Sequence, residues 1–241
     1  MQLNYVVTGT GRCGTVYFAK LLTNLGIQCG HETIFFYDGF ENAKKRLNGQ
    51  MPFSLSRISK SATGQGEKGW FPEGIRSIQA DSSYMVAPFL DDPLFDNVAI
   101  IHLVRNPMEV INSFVEGFGY FRDSCMHRSD ESCYHSFIYR HAPTVLEYSG
   151  AVDRAAVFYI EWNKMIEEKS KNRKYLRFNI NNRSFKKVFW FLGMDEPEDF
   201  LKKKLNERHT NKRYHSISQI PSPELRDQLF ELYSRYCYIK M

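Results

Sequence analysis

No apolar run in this chain approaches the roughly 20 residues that a membrane-crossing helix needs, so no span is expected. No CxxC pair and no Cys/His zinc spacing occurs either. The five cysteines, Cys13, Cys29, Cys125, Cys133 and Cys237, are odd in number, which argues against a disulfide framework and for reduced thiols. The first strand begins by about Asn4 and leaves no room for a signal peptide; a soluble, cytoplasmic protein is expected. Internal repeats and low-complexity segments are missing as well, which removes solenoids and arrays. Basic residues cluster at Lys202 to Lys204 and at Lys212 and Arg213. Neither a nucleic-acid motif nor the aromatic interleaving of a single-strand groove accompanies them, so no nucleic-acid partner is expected.

What is present suits one α/β domain spanning residues 1–241. A chain of 241 residues with 43% hydrophobic content can bury a full core. Its net charge of +5 favours anionic ligands without identifying one. Apolar runs alternate with helical periodicity. Helices are predicted near Phe36 to Leu47, Tyr84 to Phe95, Tyr134 to Tyr148, Pro197 to Glu207 and Pro223 to Tyr236, with another from Arg183 to Leu192 that ends at Gly193. Short strands are predicted near Ile27 to Cys29 and Ser77 to Ser83, and a buried one at Ala155 to Ile160. Asn48 to Gly74 reads as a long surface loop, and Gly117 to Ser132 as irregular. Strands separated by helices imply a parallel sheet covered on both faces.

Two segments carry the chemistry. Val6 to Leu22 reads strand, glycine-rich turn, helix: an apolar run meets Gly9, Gly11 and Gly14, and the pattern then turns helical. Such a junction aims free N–H groups and the positive end of a helix dipole at one point, which suits an anion. Ile100 to Phe114 repeats the form. A strand ends at Arg105, Pro107 falls in the first helical turn, and Ser113 follows Arg105 by eight positions. Arginine at a strand end can fork onto phosphate or sulfate, and a serine on the next helix can add a hydroxyl.

The first turn has rivals. Gly9, Gly11 and Gly14 form a literal GxGxxG between strand and helix, and Glu32 falls near the ribose-binding acid of a dinucleotide fold, which leaves an NAD(P)-dependent oxidoreductase open. A magnesium-dependent NTPase fits less well. Thr15 stands where its phosphate-binding lysine belongs, and Val16 where its magnesium-binding hydroxyl belongs. Cys13, at a helix start, has a possible reading as a nucleophile.

Arg12-Cys13-Gly14-Thr15 resembles the 5′-phosphosulfate loop of the P-loop sulfotransferases, a lysine or arginine followed by Ser-Gly-Thr. Arg105-Asn106-Pro107 with Ser113 is similar to the same family's 3′-phosphate motif, and Tyr159-Ile160-Glu161 and Phe191-Leu192-Gly193-Met194 add softer points of contact. The resemblance implies a three-layer, P-loop-like α/β fold with a short, mostly parallel sheet flanked by helices. It also implies 3′-phosphoadenosine 5′-phosphosulfate as co-substrate, no metal, and sulfuryl transfer to an acceptor hydroxyl or amine. Gly11, Arg12, Cys13, Gly14, Thr15 and Val16 would hold the 5′ end, and Arg105, Ser113 and the basic-loop Arg213 the 3′-phosphate. The Lys-Thr-His histidine of cytosolic members is absent, because the comparable stretch reads Gln79-Ala80-Asp81-Ser82-Ser83. Cys29-Gly30-His31-Glu32-Thr33 instead looks like the Cys-Gly-Glu-Glu-Thr of tyrosylprotein sulfotransferases. That implies Glu32 as general base, with His31 as substitute or orienting partner and Arg12 on the leaving phosphate.

Other candidates are Trp70, for adenine stacking or the acceptor pocket, and Asp81 and Ser83, facing the acceptor. His102 lies inside an apolar strand and reads as a satisfied core histidine. The spacing of Phe185, Phe189 and Trp190 indicates core. Carbohydrates, lipids and small metabolites all remain in play as acceptors. A different class stays open beside these: a nucleotide-binding protein without catalysis, or, against the expectation above, a nucleic-acid-binding domain that uses the basic tail.

Overall fold

A computed structural model describes residues 3–36, 38–51, 78–117, 119–122, 134–181, 184–196 and 220–237. These residues form a five-stranded, all-parallel sheet. Its strands are β1 (Tyr5–Thr8), β2 (Cys29–His31), β3 (Ala80–Ser82), β4 (Ala99–Val104) and β5 (Tyr175–Asn179), in the order β2-β3-β1-β4-β5. β4 is buried along its whole length, and its Ile100 and Ile101 pair with Val6 and Val7 of β1. Central parallel strands lie between helical layers, which is why they read as continuous apolar runs.

Helices cover both faces. Alternation along β1 and β4 sends Val7, Ile101 and Leu103 to one side, where they meet Phe18, Leu21 and Leu22 of α1 (Thr15–Asn24), and Val188 and Phe189 of the later helix Lys186–Leu192. Val6, Ile100 and Val104 point the other way. There they pack with α2 (Phe40–Leu47), α3 (Pro107–Asn112), α4 (Tyr134–His141), α5 (Ala151–Lys169) and the C-terminal helix Pro223–Cys237. In chain order the last two helices are α6 (Lys186–Leu192) and α7 (Pro223–Cys237). α6 stops at Gly193, whose φ of 70° only glycine adopts without strain.

Several expectations are corrected. Ala155 to Ile160 is not a strand but part of the 19-residue α5. Residues on every side of that helix are buried, so its apolar run loses the periodicity that separates helix from strand. Tyr159-Ile160-Glu161 is therefore helical and is no strand end. The strand that precedes α6 is β5, whose Arg177 is exposed and whose apolar content is modest. Tyr84 to Phe95 forms two 3₁₀ turns, Tyr84–Phe89 and Pro93–Phe95, because Pro88 and Pro93 interrupt α-helical bonding. Beyond His141, Pro143 likewise opens a 3₁₀ turn. Phe185 and Phe189 are core, but Trp190 is 82% exposed. The predicted helix Pro197 to Glu207 and most of the Asn48 to Gly74 and Gly117 to Ser132 stretches lie outside the described residues.

Candidate functional site

The site candidates gather at the carboxyl edge of the sheet, around β1. The chain leaves β1 toward β2 on one side and leaves the adjacent β4 toward β5 on the other, so a crevice opens where ligands of parallel sheets bind.

Gly9 begins the first loop, and no side chain fits there: a Cβ would lie 2.4 Å from Cys13 Sγ and 2.5 Å from the Leu103 carbonyl. Gly11, Arg12 and Gly14 follow with φ of 70°, 51° and 102°. Arg12 alone of the three carries a side chain, and holding it in the left-handed region costs about 1–2 kcal/mol. α1 starts at Thr15 without a side-chain cap and without an acid in its first turn, so its amide end is open to an anion. Cys13 is buried, and burial pushes its thiol up to about 11, which keeps it protonated and speaks against a nucleophile.

The second junction comes from β4 and α3. Asn106 caps α3 by accepting from the Met108 amide at 2.9 Å, and Pro107 takes the first helical position. This helix end is satisfied, so an anion here would be held by side chains. Arg105 forms an ion pair with Glu109, donates from Nη1 to the Arg12 carbonyl at 3.4 Å, and has its own carbonyl bonded by the Tyr159 hydroxyl at 2.8 Å. Ser113 opens a π-helical turn after α3, and its Oγ accepts from Arg12 Nε at 3.0 Å. The two motifs thus meet through Arg12, and Glu109 is a carboxylate that sequence reasoning missed.

Glu32 follows β2. Its amide donates to the Ser82 carbonyl at 3.1 Å, and its φ is 51°, so it too is left-handed. The next three residues hang on Asp81: the amides of Thr33, Ile34 and Phe35 donate to its carboxylate at 3.1–3.2 Å. Ser83 Oγ donates to the Phe35 carbonyl at 2.9 Å, and the buried Arg46 reaches the Ile34 carbonyl at 2.9 Å while pairing with Asp38. Asp81 and Ser83, expected to face the acceptor, are instead buried supports of this turn. Burial pushes the Glu32 carboxyl up to about 7; the Tyr134 hydroxyl, donating to Oε2 at 3.1 Å, and Arg12 pull against it, and Asp81 pushes with it. His31 sits with Nε2 3.2 Å from Thr15 Oγ1, and burial, helped by Arg12, lowers it to about 4, so it is neutral near pH 7. Burial also lowers the pKa of Arg12.

Comparison with protein-family models finds no match for this chain, and comparison with curated proteins finds none. The functional reading therefore rests on the motifs in the sequence and on the geometry that brings them together. It brings together Gly11, Arg12, Cys13, Gly14, Thr15 and Val16 with Arg105, Ser113, His31 and Glu32. Trp70 and Arg213 lie outside the described residues. Among the described residues, no group of three or more His, Cys, Asp or Glu side chains is placed to hold a metal ion, and no helix is long and apolar enough to cross a membrane. His102 is apart from the crevice, bonded at both ring nitrogens to Tyr175 and Asn163. Tyr134 could not be linked to Glu32 by any local signal, because 102 positions separate them.

Proposed function

We propose that this protein is a sulfotransferase that moves a sulfuryl group from 3′-phosphoadenosine 5′-phosphosulfate to an acceptor hydroxyl or amine. The observation that carries the reading is the junction of two anion-binding motifs: Arg12 Nε bonded to Ser113 Oγ at 3.0 Å, with Arg105 against the Arg12 carbonyl. The open amide end of α1 fits the donor's 5′ end, with Gly11 to Val16 around it. Arg105 and Ser113 would take the 3′-phosphate, with Arg213 as a further contributor. The donor supplies the sulfuryl group and a phosphate leaving group. Arg12, fixed by the fold and partly desolvated, stabilises charge that grows on the leaving oxygen more than charge already present, which is what lowers a barrier.

The base must take the acceptor's proton as its oxygen or nitrogen bonds to sulfur. Glu32, with a carboxyl near pH 7, is matched to that task, whereas His31 near 4 is a weak base and is engaged by Thr15. The chemistry asks for no metal. The acceptor would be a small molecule, carbohydrate or lipid, and a cytoplasmic setting suits the free thiols of Cys13, Cys29 and Cys237.

The dinucleotide alternative loses support from the sheet order. A Rossmann fold sets β2 beside β1 so that its terminal acid reaches the ribose, but here β3 lies between them. Calorimetric titration with adenosine 3′,5′-bisphosphate in EDTA, with NADH in parallel, tests the reading. Binding that Arg105→Ala weakens at least tenfold, followed by transfer from labelled donor to an acceptor panel, is the expected outcome. NADH binding without bisphosphate binding would refute it.

A further inference from the structure

Glu32 is gripped from both ends, and only one end is explained by the turn that carries it. Its backbone is fixed by the Ser82 carbonyl and by the three following amides on Asp81. Its carboxylate is reached from a separate element by Tyr134, the first residue of α4, whose hydroxyl donates to Oε2 at 3.1 Å. The Tyr134 ring is itself anchored. It stacks on Tyr84 at 6.2 Å and meets Phe36 edge-on at 6.1 Å. Tyr84 in turn packs on Trp162, whose indole N–H donates to the Tyr84 carbonyl at 3.1 Å. The hydroxyl is therefore presented by a ring wedged between core aromatics, not by a freely swinging side chain.

We infer that Tyr134 is a positioning residue for the base, holding Oε2 of Glu32 so that Oε1 is the oxygen left to receive the acceptor's proton. The inference rests on the reading of Glu32 as base. A glutamate has three rotatable side-chain bonds, and a hydrogen bond from a rigid donor removes most of that freedom before the acceptor arrives. The bond also bears on the charge. The groups that face the Glu32 carboxylate are Tyr134 from α4, Arg12 from the loop after β1, and Asp81 from β3, with His31 beside it on its own segment. Tyr134 and Arg12 favour the ionised form, whereas burial and Asp81 oppose it. Removing the hydroxyl takes away one of the two stabilising partners and leaves both opposing influences in place.

Tyr134→Phe is the test, since it keeps the ring contacts to Tyr84 and Phe36 and deletes the hydroxyl alone. Two readouts are taken. The Glu32 carboxyl is titrated in the free protein by carbon-13 NMR, assigned with Glu32→Gln, and kcat/KM for sulfuryl transfer is measured from pH 5 to 9. The expected result is a Glu32 titration moved up by about half to one pH unit. The acid limb of the rate profile moves with it, plateau kcat falls about tenfold, and affinity for adenosine 3′,5′-bisphosphate is unchanged. A Glu32 titration that does not move, or a rate loss equal at every pH, would overturn the role of Tyr134. A titration that moves while Glu32→Gln retains full turnover would overturn the base assignment instead, so the two failures are told apart.

Discussion

Two clusters of ionisable and polar side chains lie at the β1–β4 pair, one buried around His102 and one half-buried at the carboxyl edge, and they meet the loss of solvent in opposite ways. His102, opposite Thr8 in the sheet, has both ring nitrogens bonded at 2.8 Å, to the Tyr175 hydroxyl and to Asn163 Oδ1, and Asn163 passes its amide on to the Tyr159 carbonyl at 2.7 Å. No residue of that cluster is left-handed. At the carboxyl edge, by contrast, Arg12 and Glu32 are two of the three non-glycine residues with positive φ among those described, and Glu32 is an acid pushed up to about 7. Both histidines, His31 and His102, are lowered to about 4 by the same cause, burial. Burial alone therefore does not mark a functional site. What separates the clusters is strain and an uncomfortable charge, which persist only where the surroundings over-determine them.

Trading the roles of the clusters gives the largest expected effect. Arg12→Ala should reduce sulfuryl transfer about 10³-fold, the scale of losing one preorganised charge-stabilising donor, while leaving the melting temperature unchanged or raised. The substitution releases a desolvated cation, although the small side chain still occupies a left-handed position. His102→Ala should do the reverse. It strands Asn163 Oδ1 in the core, at about 1–3 kcal/mol, and takes a partner from the half-buried Tyr175 hydroxyl, with activity per folded molecule within about twofold of the parent. Denaturant melts and turnover measured on the same preparations decide it. A stable, inactive His102→Ala, or an unstable Arg12→Ala of normal turnover, would erase the distinction.

The comparison sharpens with pH. Glu32 binds its proton more tightly folded than unfolded, with a pKa near 7 against an ordinary 4.5, so its contribution to stability is full below about 4.5 and is lost as pH rises toward 7. His102 has the opposite sign: its folded pKa near 4 lies below the ordinary 6.5, so stability is full above 6.5 and falls as pH drops toward 4. Glu32→Gln should therefore be more stable than the parent at pH 8, on the order of 2 kcal/mol, with the advantage shrinking to nothing near pH 4.5. Urea midpoints between pH 4.5 and 8 measure it. An advantage that does not vary with pH would mean that the charge of Glu32 is not what the fold opposes.

How much of this was legible in the sequence follows the range over which each contact acts. β1, α1, β4 and α3 could be read because each is a local pattern: an apolar run, then Gly9, Gly11 and Gly14, or Arg105, Asn106 and Pro107. That the Arg12 and Arg105 segments serve one ligand was legible as a pair of anion motifs, but the direct bond from Arg12 to Ser113 was not, since the two residues are 101 positions apart. α5 was misread because it is buried on every side, and β5 was passed over because Arg177 breaks an already short run. Asp81 and Ser83 looked like polar residues available to a ligand. Their true work, tying down the turn after Glu32, is a tertiary arrangement that no periodicity encodes.

Tyr159 joins the two clusters and gives the smallest and most discriminating effect. Its carbonyl closes the His102 network through Asn163, and its hydroxyl donates to the Arg105 carbonyl at 2.8 Å from the interior. Arg105 itself lies where β4 ends and α3 begins, so this bond fixes the backbone from which the guanidinium projects. Tyr159→Phe preserves the buried ring and removes only that donor, at an expected stability cost of about 1 kcal/mol. If the satisfied cluster does no more than hold the core together, adenosine 3′,5′-bisphosphate affinity will be untouched. If it also sets the angle of the proposed 3′-phosphate junction, affinity should fall about three- to fivefold, with kcat unchanged where that contact binds ground and transition states alike. A calorimetric titration of the variant separates the two, and the second outcome would make the quiet cluster a foundation of the strained one.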